Sequence, residues 1–318
     1  MINAVITWVD GNDPVHQKKF AKYQNENADK WIHPKAKHPT RFADKNEVWY
    51  CVNSIRKYAP YIDKIFMVTD EQEPYWLTEQ SKKELNIQVV DHKDIFSGYH
   101  QYLPTFNSLS IESMLHRISG ISNNFLYFND DVILNNQTQI KDYFDGDCLI
   151  YRGDWVWKIH LKRRLVRLIS LNEVTKYKLM GKGFIGYRNE KDYFNRNKNL
   201  LFRLSHAPHP MNKEICEQLF TEQDVLEKQI KYRFKNKKQY SPISLAANLA
   251  MIKGKARKGP KDYGYISCST IDVEQCNTWL DFFEHSRGIK SVCIQSLDQA
   301  SPVLEDKIKS FLHKRVMQ

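Results

Sequence analysis

The sequence lacks the cysteine spacings that hold a zinc ion. Its six cysteines are scattered along the chain: Cys51, Cys148, Cys216, Cys268, Cys276 and Cys293. They include no CxxC pair and no other close grouping of the kind found in zinc sites. We therefore exclude a cysteine-based zinc protein, and we expect reduced thiols, as in a cytosolic protein.

Long hydrophobic runs are also missing. No apolar stretch approaches the roughly 20 residues that a transmembrane helix needs. The N-terminal segment is apolar only as far as Val9 and then meets Asp10, so it lacks the charged leader and cleavage site of a signal peptide. We expect a cytoplasmic protein whose membrane contact, where it occurs, is peripheral and at the inner face of the cell membrane.

The chain contains no internal repeat and no low-complexity linker, and acidic residues are the minority among its charges. Lys and Arg number 48 against 37 Asp and Glu, which leaves a net charge of +11. This excess favours an anionic partner such as nucleotide phosphates, nucleic acid or an anionic membrane face. The basic loop Lys253–Lys261 has two glycines without the Walker spacing, so a P-loop is excluded.

The first half of the chain alternates predicted strands with predicted helices. The strand candidates are Ala4–Val9, Ile65–Thr69, Ile87–His92 and Phe125–Phe128. This order is typical of a mostly parallel α/β sheet with helices on both faces. At 318 residues and 42% hydrophobic, the chain is long enough for a large core. We predict a nucleotide-sugar-binding α/β core over residues 1–150 and a mainly helical, acceptor-side portion over residues 151–318 that packs on it.

The most informative stretch is the apolar run Phe125–Phe128, which leads directly into Asn129, Asp130 and Asp131. Ionised carboxylates at the end of a buried strand are costly unless something compensates their charge. A divalent cation is the usual compensation in enzymes that handle nucleotide phosphates. A surface turn with solvated aspartates is the alternative interpretation.

Three further segments carry candidate functional residues. Asp10 and Asp13 follow the first strand, where they could accept hydrogen bonds from a ribose or base, or only shape the turn. His206 and His209 lie in a proline-rich segment and are candidates for proton transfer, although metal ligation or a capped loop would also explain them. The basic stretch Lys158–Arg167 suits an anionic lipid surface, a phosphorylated acceptor or a solvated helix.

Four blocks, in this order, resemble the Stealth family of sugar-phosphate transferases. They read AVITWVDGNDP (4–14); RFADKNEVWYCVNSIRKYAPYIDKIFMVTDEQEPYWL through LPTFNSLSIESMLHRISGISNNFLYFNDDV (41–132); HAPHPMNKE with YRF and GKA (206–256); and KSVCIQS (290–296). Lys235 stands where the family usually has a second arginine, and Gln295 and Ser296 stand where an Asn-Asp pair is common.

This family comprises bacterial capsule and cell-wall polysaccharide phosphotransferases and is related to the catalytic core of the animal enzyme that starts the mannose-6-phosphate tag. The resemblance implies a Rossmann-like, glycosyltransferase-A-like fold. It also implies transfer of hexose 1-phosphate, or N-acetylhexosamine 1-phosphate, from a UDP-sugar to a sugar hydroxyl with release of UMP. The partners would be the UDP-sugar and a glycan or lipid-linked oligosaccharide acceptor, and no nucleic acid.

The resemblance also implies roles for individual residues. Asp130 and Asp131 would hold Mg²⁺ or Mn²⁺ against the donor phosphates, and Arg41 is a further phosphate-binding candidate. The implied catalytic residues are Glu112, Asp131, His206 or His209, and Arg233. We favour His206 as the general base and expect Arg233 to grip the transferred phosphoryl group.

Two other functions compete with this one. A metal-dependent glycosyltransferase would use the same pair of aspartates but release UDP. A polyanion-binding module without catalysis would account for the net charge of +11 and the basic stretch.

Overall fold

The fold is taken from a computed structural model that describes residues 1–26, 42–157, 200–220, 223–236 and 238–317. Two predictions fall outside these ranges. One concerns Arg41 as a phosphate ligand, and the other concerns the basic stretch Lys158–Arg167.

The described N-terminal part contains eight strands and five α-helices. In chain order they are β1 (Ile2–Thr7), α1 (Pro14–Glu26), α2 (Glu47–Tyr58), β2 (Ile62–Thr69), α3 (Glu79–Glu84), β3 (Ile87–Asp91), α4 (His92–Ile95), α5 (Ser108–Glu112), β4 (Asn124–Asn129), β5 (Val132–Leu134), β6 (Phe144–Asp145), β7 (Cys148–Tyr151) and β8 (Gly153–Trp157). Short 3₁₀ segments lie at His100–Tyr102, Leu115–Arg117 and Ile140–Asp142.

The described C-terminal part adds five strands and five α-helices. They are β9 (Leu200–Leu204), β10 (His209–Asn212), α6 (Lys213–Phe220), α7 (Gln223–Ile230), α8 (Pro242–Ile252), β11 (Ala256–Lys258), β12 (Tyr263–Ser267), α9 (Val273–His285), β13 (Ser291–Gln295) and α10 (Pro302–Met317). A 3₁₀ segment lies at Leu297–Gln299. No helix in these described ranges is both long and apolar enough to cross a membrane.

The main sheet has five strands in the order β10-β4-β1-β2-β3. Strands β4, β1, β2 and β3 are mutually parallel, so the predicted α/β class with a mostly parallel sheet is confirmed. The chain moves from β1 outward to β2 and β3, and then returns to place β4 on the other side of β1. Open α/β sheets bind ligands outside the carboxyl ends of their strands at such a reversal.

Strand β10 was not predicted, because its sequence was interpreted as a proline-stiffened loop. It pairs antiparallel with β4, with His209 opposite Tyr127 and Pro210 opposite Leu126. Proline is tolerated here because β10 is the edge strand of the sheet, where one row of backbone groups needs no partner. The C-terminal part therefore contributes a strand to the main sheet.

Three smaller sheets surround the main one. Their orders are β12-β13-β5, β11-β7-β6 and β8-β9. The segment Ser291–Ile294 also predicts a strand, and it forms β13, which pairs antiparallel with β5 of the N-terminal part. Sheets thus link the two parts of the chain, while the division at residue 150 stays a prediction.

Strand β1 lies at the centre of the core. Ala4, Val5 and Ile6 are fully buried, as expected for a parallel strand covered on both faces. Helix α2 packs in the same core through its apolar face, which includes Val48 and Val52. All six cysteines are free, which agrees with the expectation of reduced thiols.

Ile111, Leu115 and Ile118 fall at helical spacing, but the helix that this spacing predicts is interrupted. Helix α5 stops at Glu112, and a 3₁₀ segment follows at Leu115–Arg117. The Ser113 hydroxyl donates a hydrogen bond of 2.8 Å to the carbonyl of Leu109, a contact that often bends helices.

The buried His116 makes the stability of the fold depend on pH. Its ring stacks on Phe220 with centroids 5.5 Å apart. Burial, with smaller contributions from Arg117 and Lys213, lowers the pKa of His116 from 6.5 to about 4. The unfolded chain therefore binds a proton more readily than the folded chain between these values, and stability falls as the pH is lowered through this window.

We expect His116→Phe to keep the stack on Phe220 and to remove this contribution. Between pH 7.5 and 4.5, the free energy of unfolding of the variant should fall by about 2–3 kcal/mol less than that of the wild type. Urea unfolding at the two pH values measures the difference. His285→Gln, at an exposed position on α9, is the control and should behave as wild type. Equal pH dependence in His116→Phe and wild type would contradict the prediction.

Candidate active site

A cleft of about 440 Å³ opens at the carboxyl edge of the main sheet. Its walls include Thr7 at the end of β1, Val68 near the end of β2, and Tyr127 and Asn129 of β4. The volume is within the usual range for small-molecule sites. The cleft therefore lies at the reversal between β1 and β4, where the topology favours a ligand site.

Three of the predicted site residues line this cleft: Glu112, Asp130 and His206. Glu112 is the last residue of α5, Asp130 follows β4, and His206 lies in the turn between β9 and β10. The fold thus brings together side chains from three distant segments, including one from the C-terminal part.

Asp131 is adjacent to Asp130 in sequence but is not part of the cleft lining. Its carbonyl accepts a 2.9 Å hydrogen bond from the backbone N–H of Ile294, and its carboxylate interacts with the Cys293 thiol. Its Oδ1 atom is buried without a hydrogen-bond partner. His206 acts electrostatically on this carboxylate and opposes the rise in the pKa of Asp131 that burial causes.

Two residues without a predicted site role, Asp44 and Glu47, add their carboxylates to those of the Asp130-Asp131 pair. Burial is the largest cause that raises the pKa of Asp130 well above its usual value, followed by repulsion from Asp131, Glu47 and Asp44. Burial also raises the pKa of Glu47 to about 7, and repulsion from Asp44 and Asp131 adds to it. We call Asp44, Glu47, Asp130 and Asp131 the carboxylate cluster. Its crowding favours any cation that reaches it.

Hydrogen bonds hold the two additional carboxylates in place. The Trp8 indole N–H donates to Asp44 Oδ2 at 3.2 Å, and the backbone N–H of Lys45 donates to Glu47 Oε2 at 2.6 Å. The local pattern predicts only the start of α2, since acidic residues commonly occupy the first turn of a helix. Asp44 and Glu47 come near Asp130 only in the folded chain. The sequence alone therefore gives little indication that these carboxylates lie together.

The carboxylate cluster fits a divalent cation only in part. Within the described ranges, no group of three or more His, Cys, Asp or Glu side chains is arranged to hold a metal. Mg²⁺, however, is often bound through one or two carboxylates, with substrate phosphates and water completing its coordination. Asp130 in the cleft and the unpartnered Oδ1 of Asp131 suit that kind of site.

His209 does not line the cleft, unlike His206. Its ring stacks on Tyr127 with centroids 6.4 Å apart. Burial, together with the charge of His206, lowers the pKa of His209 to about 3. Such an imidazole is a weak proton acceptor, so the geometry favours His206 among the two predicted histidines.

Arg233 is also outside the lining of the cleft. Its Nη2 donates hydrogen bonds to the carbonyls of Gln101 at 3.0 Å and Leu103 at 2.9 Å, and its guanidinium lies over the Tyr23 ring. Lys235, two residues further on, lines the cleft instead. Lys235 is therefore an alternative to the predicted Arg233 as the phosphate ligand. It stands where the family usually has its second arginine.

Asp10 and Asp13 both shape the turn after β1. Asp10 Oδ1 accepts from the N–H of Asn12 at 2.8 Å, and Asp13 accepts from the N–H of Val15 and the amide of Gln72, each at 2.8 Å. The bond from Gln72 is the main cause that lowers the pKa of Asp13. Neither carboxylate lines the cleft, so the turn-shaping alternative describes their observed contacts.

The fourth sequence block also reaches the site. The ring of Tyr265 in β12 lies 5.1 Å from the ring of His206, and its hydroxyl donates a hydrogen bond to Gln295 of β13. Cys293 of β13 interacts with Asp131. Gln295 of this block thus bonds to a neighbour of His206, and Cys293 interacts with Asp131 itself.

Two family models match the chain where these residues lie. Residues 2–28 match Stealth protein CR1, conserved region 1, and residues 41–151 match Stealth protein CR2, conserved region 2. The chain thus matches the first two Stealth regions. The predicted resemblance to the Stealth family is thereby confirmed over these residues, which include Glu112 and the carboxylate cluster.

Relatives of this chain carry names from polysaccharide synthesis. Capsular polysaccharide phosphotransferase cps1A of Actinobacillus pleuropneumoniae is 42% identical over 147 residues, which are 46% of this chain and 39% of the relative. Exopolysaccharide phosphotransferase SCO2594 of Streptomyces coelicolor is 41% identical over 143 residues, 45% of this chain and 22% of the relative. The match thus spans less than two thirds of either relative.

A longer match is found in capsular polysaccharide phosphotransferase fcs1 of Haemophilus influenzae. It is 28% identical over 304 residues, 94% of this chain and 79% of the relative. Among solved structures, the galactosyltransferase LgtC with donor and acceptor sugar analogs has a TM-score of 0.41 and 10% identity, over 98% of this chain and 95% of that chain. We transfer no site residue from a structural likeness at this level.

The carboxylate cluster should weaken the fold that contains it. We expect Asp130→Asn to raise the free energy of unfolding by about 1 kcal/mol at pH 7.5 without divalent cations, because it removes one of the crowded charges. Chemical denaturation with chelator present measures this change.

The control is Asp147→Asn, an exposed position outside the cluster, which should leave stability unchanged. Adding Mg²⁺ should raise the melting temperature of the wild type more than that of Asp130→Asn. A variant clearly less stable than the wild type without cations would contradict the expected repulsion.

Proposed function

We propose that this chain transfers a hexose 1-phosphate, or an N-acetylhexosamine 1-phosphate, from a UDP-sugar to a sugar hydroxyl in capsule or cell-wall polysaccharide synthesis. The observation that carries the proposal is the convergence of Glu112, Asp130, His206 and Lys235 on one cleft at the carboxyl edge of the sheet. The phosphotransferase names of the relatives support the same reaction class.

The reaction forms one bond and breaks one bond at the β-phosphorus of the donor. The acceptor oxygen attacks this phosphorus, and the bond to the oxygen that bridges the two phosphorus atoms breaks. That oxygen leaves on UMP, and the product is a phosphodiester. The chain must hold a negatively charged diphosphate, direct the acceptor hydroxyl in line and remove its proton.

Lys235 supplies positive charge to the diphosphate in this proposal. Its side chain lines the cleft that also contains Asp130. A lysine ammonium stabilises phosphate oxygens as a compact point charge, without the bidentate geometry of arginine. Arg233 would then act indirectly, by fixing the backbone at Gln101 and Leu103.

His206 is the proposed general base. It is exposed in the cleft, and histidine can take up a proton near neutral pH. The nearby carboxylate of Asp131 would stabilise the imidazolium that forms when the acceptor proton arrives. Glu112, in the same cleft, would orient the acceptor hydroxyl.

Asp130 and Asp131 would hold Mg²⁺ or Mn²⁺ together with the donor phosphates. When bound, such a cation offsets negative charge on the diphosphate and on the departing oxygen. The carboxylates alone would repel the donor phosphates, so their crowding favours positive charge beside them.

The proposed partners are a UDP-sugar donor and a glycan or lipid-linked oligosaccharide acceptor. We propose a cytoplasmic location with peripheral contact at the inner face of the membrane, supported by the net charge of +11. Nucleic acid is not among the proposed partners.

The nucleotide released identifies the reaction. We expect incubation with UDP-glucose, UDP-galactose and their N-acetyl forms, Mg²⁺ and a glycan acceptor to yield UMP, separated by chromatography. UDP as the sole nucleotide product would replace the proposal with an ordinary glycosyltransferase. Salt-sensitive binding of anionic polymers without turnover of any donor would favour the polyanion-binding module.

Substitutions test which basic residue acts on the phosphates. We expect Lys235→Ala to lower kcat/KM on the order of 10³-fold, because a charge clamp in phosphoryl transfer is lost. Lys235→Arg should keep most of the activity, since it restores the positive charge. Lys238→Ala, at an exposed position in the same loop, is the matched control and should be unchanged.

His206→Ala should lower kcat by about 10² to 10⁴ with a smaller effect on KM. Steady-state kinetics with the same donor measures all four variants. Activity of Lys235→Ala within threefold of the wild type would remove Lys235 from the proposed mechanism.

A further inference from the structure

The cleft contains two buried histidines that the proposed chemistry does not use. His16 of α1 is 6% exposed and His92, the first residue of α4, is 5% exposed. Both line the cleft. Neither ring nitrogen of His16 has a hydrogen-bond partner, and Nδ1 of His92 also has none. Buried polar atoms without partners are costly, and a bound ligand would supply what they lack.

His92 lies far along the sheet edge from Asp130, and His16 is close enough to His92 to act on it electrostatically. His92 directly follows β3, whereas Asp130 follows β4, and the strand order between them is β4-β1-β2-β3. Three steps of about 4.8 Å separate the outer strands, which amounts to roughly 14 Å of sheet edge. The cleft therefore has one end at Asp130, which we call the phosphate end, and a second end at His16 and His92.

Flat apolar surfaces surround the second end. The ring of His16 lies 5.5 Å from that of Phe42 and 5.4 Å from that of Phe106, and both phenylalanines also line the cleft. Aromatic side chains offer planar faces against which another ring can stack. The walls thus suit a planar heterocycle better than a hydrated sugar.

A carboxylate lies between the two ends. Asp70 follows β2 and lines the cleft, and Lys19 holds its Oδ2 at 3.2 Å. A carboxylate at the end of an inner strand can accept hydrogen bonds from ribose hydroxyls. Its place between the phosphate end and the histidines matches the order of groups in a nucleotide.

We propose that His16 and His92 bind the nucleobase of the nucleotide donor and that Asp70 accepts hydrogen bonds from its ribose. This inference rests on the proposed function, because it takes the opposite end of the cleft as the place of the diphosphate. It gives the nucleoside a site that Asp10 and Asp13 do not offer, since their carboxylates bond within the turn after β1.

The state of the two imidazoles suits this role. Burial lowers the pKa of both His16 and His92, against the attraction of Asp70, so that each ring is neutral at physiological pH. A neutral imidazole carries one N–H donor and one acceptor nitrogen, which matches the mixed donor and acceptor edge of a pyrimidine base. A metal is the other common partner of paired histidines, but no described group of His, Cys, Asp and Glu has the arrangement for one.

The experiment compares UMP with ribose 5-phosphate, which share the sugar and the phosphate and differ in the base. By calorimetry on the full chain, we expect UMP to bind at least tenfold more tightly than ribose 5-phosphate. His16→Phe and His92→Phe keep an aromatic ring but remove the nitrogens. Each should weaken UMP binding about tenfold, the effect of losing a buried hydrogen bond, and leave ribose 5-phosphate binding unchanged.

His100→Phe, at an exposed position outside the cleft, is the control and should bind both ligands as the wild type does. Because a core variant can lose its fold, ring-nitrogen chemical shifts of the unsubstituted protein provide a second measurement. The shifts of His16 and His92 should move when UMP is added and stay in place with ribose 5-phosphate.

Two outcomes would overturn the inference: equal affinity of the wild type for both ligands, or undiminished UMP affinity in both folded phenylalanine variants. Base-independent binding by a chain that still releases UMP from a UDP-sugar would reject the base site alone. Base-dependent binding with UDP as the only product would instead reject the proposed transfer and keep the base site.

Discussion

Crowded negative charge at the carboxyl end of β4 is the constraint on which the rest of this structure depends. Asp130 and Asp131 end an apolar strand, and Asp44 and Glu47 bring two further carboxylates beside them. Burial and mutual repulsion work against ionisation of all these groups together. A fold that keeps such a cluster gives up stability there, as active sites commonly do. In the proposed function, a cation and a phosphorylated ligand that enter the cleft would compensate this charge.

The topology explains why Asp130, a member of this cluster, faces a cleft. The reversal of chain direction at β1 opens a crevice beside β4, and strand β10 closes the sheet on the other side of β4. The turn before β10 brings His206 to the cleft, and β13 brings Cys293 to Asp131. The site is therefore built from both parts of the chain, through strands that pair across them.

The sequence predicts the features of this fold that depend on neighbouring residues. Apolar runs identify β1 to β4 and β13, and the break at Asp130 marks the candidate site because charge is unfavourable in a buried strand. Strand β10 was missed because its proline argues against a strand unless the strand is known to lie at an edge. Edge position is a property of the assembled sheet.

The direction in which each side chain points also cannot be predicted from neighbouring residues in the sequence. Arg233 and Lys235 are two residues apart, yet Arg233 binds backbone carbonyls near Leu103 while Lys235 faces the cleft. Asp44 and Glu47 have the pattern of a helix start, and their approach to Asp130 depends on how α2 packs against the sheet. The family resemblance is confirmed over residues 2–28 and 41–151, but which side chain enters the cleft is decided by the packing of the whole chain.

The most direct measurement is an experimental structure of this protein with UDP and Mn²⁺ bound. The account predicts density for the diphosphate in the cleft between β1 and β4, with the cation at Asp130 and the Lys235 ammonium within hydrogen-bond distance of a phosphate oxygen. A nucleotide bound elsewhere on the protein, with Lys235 and Asp130 both free of it, would contradict the account.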